Sequence, residues 1–227
     1  MFIGHYGVSL AAKRVEPRLS LGVLFVAVQL LDVLFTIFVL GGVEKLRIVP
    51  GFTAVNSYDL YFMPFTHSLV GALLWSAADV ALAWVTVAKG LSQRTRAALL
   101  VGAAVFSHFV LDVFVHTPDL PVALSGEGLK LGLGLWRSWP LTLALELVVF
   151  AAGALLYSRA TAPRKAWSRR ATLGFLAFLA LLLVTTPFMP PPKSDVEFAV
   201  QALAAYLLLA GLAEVVDRSR GPVERAG

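Results

Sequence analysis

Long apolar stretches separated by short basic connections dominate the hydrophobic pattern of this chain. A run of about 20 apolar residues is long enough to cross the hydrocarbon core of a bilayer as an α-helix. The pattern predicts six such spans, with ends defined to within a few residues: 20–40, 67–88, 99–117, 139–157, 171–187 and 196–216. A shorter apolar stretch, MFIGHYGVSLAA, precedes them. It is too short to span, so we expect it to lie at the interface or to enter partway as a half-helix.

The expected architecture is therefore an all-α integral membrane protein, a bundle of about six transmembrane helices plus a short N-terminal half-helix. Residues 1–227 would form a single membrane domain, since 58% of the residues are hydrophobic and only 15% are charged. The mean hydropathy is +0.79, whereas a soluble domain is about half apolar and about a quarter charged. The absence of cysteine excludes disulfides and thiolate metal ligands.

Basic residues alternate along the chain in step with the predicted spans. Fourteen of the 19 lie before the first span, after the second, after the fourth or in the tail, which includes Arg225. By the positive-inside rule this predicts a multi-pass protein of the cytoplasmic (inner) membrane with both termini in the cytoplasm. The net charge of +5 is explained by this distribution, so we expect the lipid bilayer as partner and no nucleic acid. The opposite connections 41–66 and 118–138 are long external loops, which often carry function.

The predicted spans contain few ionisable residues, and most of them lie in the outer half of the membrane. Such residues are expensive in a bilayer unless they are paired, hydrated or bound to a metal. They include Asp32, His67, Asp79, His108, Asp112, His116 and Glu146. For Asp79, the one deeper toward the cytoplasm, and for Glu146, an interhelical hydrogen bond is the simpler interpretation.

One helical stripe concentrates this chemistry. His108, Asp112 and His116 are spaced four apart and therefore share a face. Imidazole nitrogens and carboxylate oxygens on neighbouring turns can reach one divalent ion, and Asp32 and His67 would add ligands from other helices. Such a set favours zinc, manganese or iron over calcium or magnesium.

Other interpretations of the same residues remain open at this point. A histidine at a span end, such as His67 or His116, is more often an interfacial hydrogen-bonding residue than a ligand. The polar residues could instead line the pathway of a transporter or permease, although only Asp79 would continue it toward the cytoplasm. A third interpretation is a non-catalytic protein in which a metal only ties helices together.

The order of short motifs resembles a known family. Gly4-His5, then Asp32, then Thr66-His67-Ser68, then Ser107-His108-x-x-x-Asp112 resembles the bacterial membrane-bound metal-dependent hydrolases (YdjM-like). That family is in turn similar to zinc-dependent phospholipase C and the single-strand-specific nucleases. The resemblance covers residues 1–120. The remaining part, 121–227, consists of an external loop and three further helices. Asp32 stands in QLLDVL rather than in the DIDH-type cluster of many members.

The resemblance implies a membrane-embedded metal-dependent hydrolase acting on a phosphoester or lipid-linked substrate, for example a phospholipid. It also adds His5 as a ligand, which spacing alone would not suggest. The cofactor would be a divalent metal ion, zinc first, with manganese or iron as alternatives. We expect Asp32, His67, His108 and Asp112 to hold the main ion, with His5 and His116 as candidates for a second.

Two further roles complete the predicted site. Asp112 or Asp119 would accept the proton of the attacking water. Lys130 and Arg137, in the second external loop, would receive a phosphate group.

Overall fold

The computed structural model describes residues 1–223, so Arg225 lies outside the described residues. The described chain is mostly helical, at 63%. Its α-helices are α1 (Ile3–Val15), α2 (Leu21–Val28), α3 (Leu30–Leu40), α4 (Leu69–Val85), α5 (Arg94–Val115), α6 (Trp139–Ala160), α7 (Ser168–Thr185) and α8 (Asp195–Arg218).

Short strands accompany the helices, which the expectation of an all-α fold did not include. They form three antiparallel pairs: β1 (Lys45–Ile48) with β2 (Tyr58–Phe62), β3 (Leu120–Pro121) with β4 (Lys130–Leu131), and β5 (Thr161–Pro163) with β6 (Arg220–Pro222). The first two pairs order the connections 41–66 and 118–138. The third ties the end of α6 to the end of α8.

The lengths of the helices indicate a membrane protein. Helices α5, α6, α7 and α8 are each long and apolar enough to cross a bilayer, and the pair α2–α3 passes the same test if it is counted as one bent span. Helix α4 has 17 residues and is shorter than the usual span. Four or five spans therefore follow from length and composition, and the expected count of about six is not confirmed.

The predicted first span, 20–40, is broken at Gln29, where α2 and α3 meet at 58°. The segment contains no proline to cause the bend. Instead, the carbonyl oxygen of Val28 accepts a hydrogen bond from His108 Nδ1 at 2.7 Å. A side chain inserted into the backbone ladder is a known cause of sharp helix kinks. The hydrogen bond at the break is therefore also the one that orients His108.

The N-terminal apolar stretch forms the buried helix α1, which packs against α6. Glycines permit this close approach: a Cβ on Gly153 would lie 2.0 Å from the carbonyl oxygen of Gly7. The carboxyl group of Glu146 on α6 accepts the backbone N–H of Gly4 at 3.0 Å. Glu146 thus forms the interhelical hydrogen bond expected from the sequence, and it fixes the beginning of α1.

Candidate metal centre

The structure brings together all six residues predicted to be metal ligands. His108 and Asp112 lie one turn apart on α5, with 3.0 Å between His108 Nε2 and Asp112 Oδ2. Asp32, just after the bend, has Oδ1 at 3.6 Å from His108 Nε2 and at 3.3 Å from His67 Nε2. Two triads have ligand atoms that all lie within 4.8 Å of one another, namely His5–His108–Asp112 and Asp32–His67–His108.

Asp112 is the centre of the cluster. Its Oδ1 lies 3.2 Å from His5 Nε2, while its Oδ2 lies 3.5 Å from His116 Nε2 and 3.9 Å from His67 Nε2. The amino group of Met1 also donates to Oδ1, at 2.6 Å. His5 and His116 therefore approach different oxygens of one carboxylate.

Burial of the cluster is nearly complete on every side but one. The side chains of His5 and His108 are 0% exposed, and those of His67, Asp112 and His116 are at most 3% exposed. Asp32 is 19% exposed. The cluster thus has one open edge, at Asp32, where the hydroxyl of Tyr206 on α8 donates to Oδ2 at 3.1 Å.

The hydrogen bond of His108 to the backbone determines its tautomer. A carbonyl oxygen can only accept, so Nδ1 of His108 carries the hydrogen that is donated to Val28. When the imidazole is neutral, Nε2 is left with a lone pair directed toward the carboxylates. This is the usual arrangement of a metal-ligating histidine, whose other ring N–H is held by an outer partner.

His67 is held through a chain of hydrogen bonds that begins in the connection 41–66. Thr66 Oγ1 donates to Glu44 Oε2 at 2.6 Å and lies 2.8 Å from His67 Nδ1. Because that hydroxyl hydrogen is used on Glu44, Thr66 accepts from Nδ1–H of His67, and Nε2 again keeps a lone pair. The backbone N–H groups of Phe65 and Thr66 also donate to Glu44. Burial raises the pKa of the Glu44 carboxyl, and these hydrogen bonds oppose that shift.

His116 is held in the same way from the connection 118–138. It is the C-cap residue of α5, and its Nδ1 lies 2.9 Å from Asp119 Oδ1. Trp136 packs against its ring with centroids 4.1 Å apart. When the ring is neutral and an Asp119 oxygen accepts from Nδ1–H, Nε2 of His116 offers a third lone pair directed at Asp112.

The donor set fits a divalent cation. Lone pairs of three imidazoles face the oxygens of two carboxylates, and acceptors that face each other repel unless a proton or a metal lies between them. Nε2 of His108 and both ring nitrogens of His5 are buried without a hydrogen-bond partner in the described chain, although a carboxylate lies nearby. Their directions therefore suit coordination better than N–H donation.

Three further residues were predicted to take part in the site, namely Asp119, Lys130 and Arg137. Both oxygens of Asp119 are engaged, by His116 Nδ1 and by Thr117 Oγ1 at 2.8 Å, so Asp119 orients a ligand, and its role as a base stays a prediction. The side chains of Lys130 and Arg137 form no hydrogen bond or ion pair within residues 1–223; Lys130 lies in β4, and Arg137 follows Trp136 in a short 3₁₀ turn. Their predicted phosphate contacts also stay predictions.

Several contributors escaped sequence reasoning, namely Glu44, Thr66 Oγ1, Val28 O, Trp136 and Tyr206. Only Thr66 lay within a recognised motif, and the others belong to loops or helices distant in sequence.

Comparisons with family models, with curated proteins and with solved structures give no match for this chain. The geometry of the cluster is therefore the basis for any functional conclusion.

Proposed function

We propose that this protein is a membrane-embedded metal-dependent hydrolase that cleaves a phosphoester of a lipid-linked substrate. The observation that carries the proposal is the convergence of the Nε2 atoms of His67, His108 and His116, each with its Nδ1 already engaged, on Asp112 and Asp32. The motif order shared with the membrane-bound metal-dependent hydrolases supports the same conclusion.

The ion would be held by residues from four separate segments of the chain. His108 and Asp112 form its centre, His67 and Asp32 stand on one side, and His5 stands on the other. Nitrogen-rich sets with carboxylates suit zinc, with manganese or iron as alternatives. Such an ion, when bound, lowers the pKa of water to about 7 and offsets negative charge on a phosphoryl oxygen.

The residues around the ion would position the reaction and limit its access to water. Tyr206 fixes Asp32 at the open edge, so a substrate phosphate would approach there. Trp136 packs against His116 and covers the cluster there, and Trp136 itself is only 7% exposed. The buried surroundings strengthen each electrostatic contact made with the substrate.

The open edge favours catalysis over a purely structural metal site. Structural sites are usually closed by protein ligands, whereas catalytic sites keep a position that water or substrate can reach. The 19% exposure of Asp32 against at most 3% for the other ligands provides one such position.

The distribution of basic residues supports a definite topology for the proposed enzyme. Both termini would lie in the cytoplasm of a bacterial cell, and the cluster would lie in the outer half of the inner membrane. A phospholipid or another lipid-linked phosphoester in the outer leaflet would then reach Asp32.

Hydrolysis by purified protein in liposomes tests the proposal. Phosphatidylglycerol and phosphatidic acid would be the substrates, with release of water-soluble phosphate-containing or alcohol products as the measure. We expect turnover that is lost after treatment with a chelator and restored by zinc or manganese. His108→Ala should abolish it, whereas Asp79→Asn, which changes an acid on α4 outside the cluster, should leave it unchanged.

Two outcomes would contradict the proposal. One is protein that retains its full metal content yet cleaves neither these lipids nor a soluble phosphodiester such as bis-p-nitrophenyl phosphate. The other is hydrolysis that persists unchanged in His108→Ala, because the activity would then arise outside the cluster.

A further inference from the structure

A second polar cavity lies at the other end of α1. It has a volume of about 230 Å³, and its lining includes Lys13, Arg18, Thr161, Arg164, Asp217 and Arg220. Lys13 is eight residues beyond His5 on the helix, which places the two sites about 12 Å apart along the helix axis at 1.5 Å per residue. This cavity is therefore separate from the metal cluster.

Positive charge dominates this cavity. Its lining contains four cationic side chains and one carboxylate. The carboxylate, Asp217, is already engaged: Lys13 Nζ donates to it at 2.7 Å, the N–H of Leu21 at 3.1 Å and the hydroxyl of Tyr157 at 3.1 Å. Asp217 therefore neutralises Lys13, and no other carboxylate within residues 1–223 forms an ion pair with the three arginines.

Arg220 is the clearest indication of an anion-binding site. It is only 8% exposed, and it forms no ion pair with a carboxylate among residues 1–223. Its guanidinium donates to neutral oxygens alone, namely Thr161 Oγ1 at 2.8 Å, Thr161 O at 2.6 Å and Thr172 Oγ1 at 3.1 Å. Buried charges are normally paired, because removal from water is unfavourable for an isolated ion.

Two further guanidiniums at the rim are free to bind. The side chains of Arg18 and Arg164 form no hydrogen bond or ion pair in the described part of the chain, and both residues are exposed. The guanidinium of Arg164 lies close to Gly221, where an added Cβ would be 2.1 Å from Arg164 Nε. Guanidinium groups bind phosphate oxygens through two parallel hydrogen bonds.

We propose that this cavity binds a phosphate group, held by Arg18, Arg164 and Arg220. The volume accommodates one phosphate with water, since a water molecule occupies about 30 Å³. The group could belong to the headgroup of an anionic lipid or to a free phosphate ion, and both offer the same oxygens to the arginines. The site is independent of the hydrolase proposal.

Calorimetric titration of the full-length protein in a neutral detergent tests the site. Inorganic phosphate would be one probe, at constant ionic strength set with chloride. Mixed micelles with phosphatidic acid would be the other, and phosphatidylcholine micelles would serve as the uncharged comparison. Metal-saturated protein should be used throughout, so that phosphate binding at the first cluster can be recognised by its loss in His108→Ala.

The double variant R18Q/R164Q should weaken binding at the cavity by at least about tenfold, since two charge-assisted contacts are lost. The matched control R159Q/R169Q removes two exposed arginines near the same end that do not line the cavity. It should bind as the unchanged protein does. Circular dichroism checks the fold, and R164Q alone gives a second test if the double variant is unstable.

The pattern of results identifies the source of the phosphate. Binding of both probes supports the site. Binding of phosphatidic acid alone supports it and assigns it to a lipid headgroup. Binding of inorganic phosphate alone assigns it to a free ion. The proposal is overturned if neither probe binds. It is also overturned if the control variant loses as much affinity as R18Q/R164Q, because general surface charge would then explain the binding.

Discussion

Nε2 of His108 lies 3.0 Å from Oδ2 of Asp112, while Nδ1 of the same ring donates to the carbonyl oxygen of Val28 at the break between α2 and α3. One imidazole therefore connects the bend in a helix pair with the centre of the ligand cluster. Asp32 follows Val28 by four residues, after the bend, and its Oδ1 lies 3.6 Å from Nε2 of His108. Local backbone distortion and candidate chemistry arise from one contact.

The chain Glu44–Thr66–His67 gives a first prediction. Thr66→Val keeps the shape of the side chain but removes the oxygen that accepts from His67 Nδ1–H. We expect the metal affinity to fall by about 10–100-fold, the usual effect of losing an outer partner of a ligating histidine. Competition with a fluorescent zinc chelator would measure it.

A matched control exists for this substitution. Thr36 on α3 is also buried and bonds only to the carbonyl oxygen of Val33 within its own helix. Thr36→Val should leave the metal affinity unchanged. Equal affinity losses in the two variants would show that a general effect of removing a buried hydroxyl, rather than the orientation of His67, is responsible.

Asp119 provides a second prediction, because the structure gives it an orienting role. Asp119→Ala removes the partner of His116 Nδ1 and should weaken metal binding by about tenfold. Asp59→Ala, which removes a carboxylate paired with Arg47 in the other loop, should have no such effect. If Asp119→Ala abolishes hydrolysis and leaves metal affinity intact, Asp119 is the base predicted from the sequence.

The contact between α1 and α6 provides a third prediction. Gly153→Ala would place a methyl group 2.0 Å from the Gly7 carbonyl oxygen and push α1, with His5, away from α6. We expect the free energy of unfolding to fall by about 1–3 kcal/mol, as for other overpacked sites. Metal affinity should fall with it. Thermal unfolding in detergent and metal titration would measure the two effects.

Gly174 on α7 is the control, because a Cβ there would meet nothing within 4 Å. Gly174→Ala should be neutral or stabilising by up to about 1 kcal/mol, since alanine favours helix. A Gly153→Ala protein that is destabilised but binds metal as tightly as the unchanged chain would remove His5 from the ligand set.

Helical spacing accounted for part of the site. The interval of four residues correctly placed His108, Asp112 and His116 on one stripe, even though α5 ends at Val115 and His116 is its C-cap. The polarity of the spans likewise identified Asp32 and His67. These inferences succeeded because the residues share a helix or stand out as rare charges in apolar surroundings.

The outer partners of the histidines were beyond such reasoning. Glu44 and Trp136 come from loops, and Val28 contributes only a backbone oxygen, so neither periodicity nor residue type could link them to a histidine. The approach of α1 to α6 likewise depends on tertiary packing at Gly7 and Gly153. The count of spans was also uncertain from hydropathy, since α4 is short and α2–α3 is bent.

The central claim is that the cluster holds a divalent ion, and anomalous X-ray scattering at the zinc absorption edge tests it most directly. Crystals of zinc-loaded protein and of His108→Ala should be compared, with metal content measured on the same samples. We expect an anomalous peak enclosed by His108, Asp112 and their neighbouring ligands, absent in His108→Ala. Loaded protein with no peak there, or with the peak at another place, would contradict the claim.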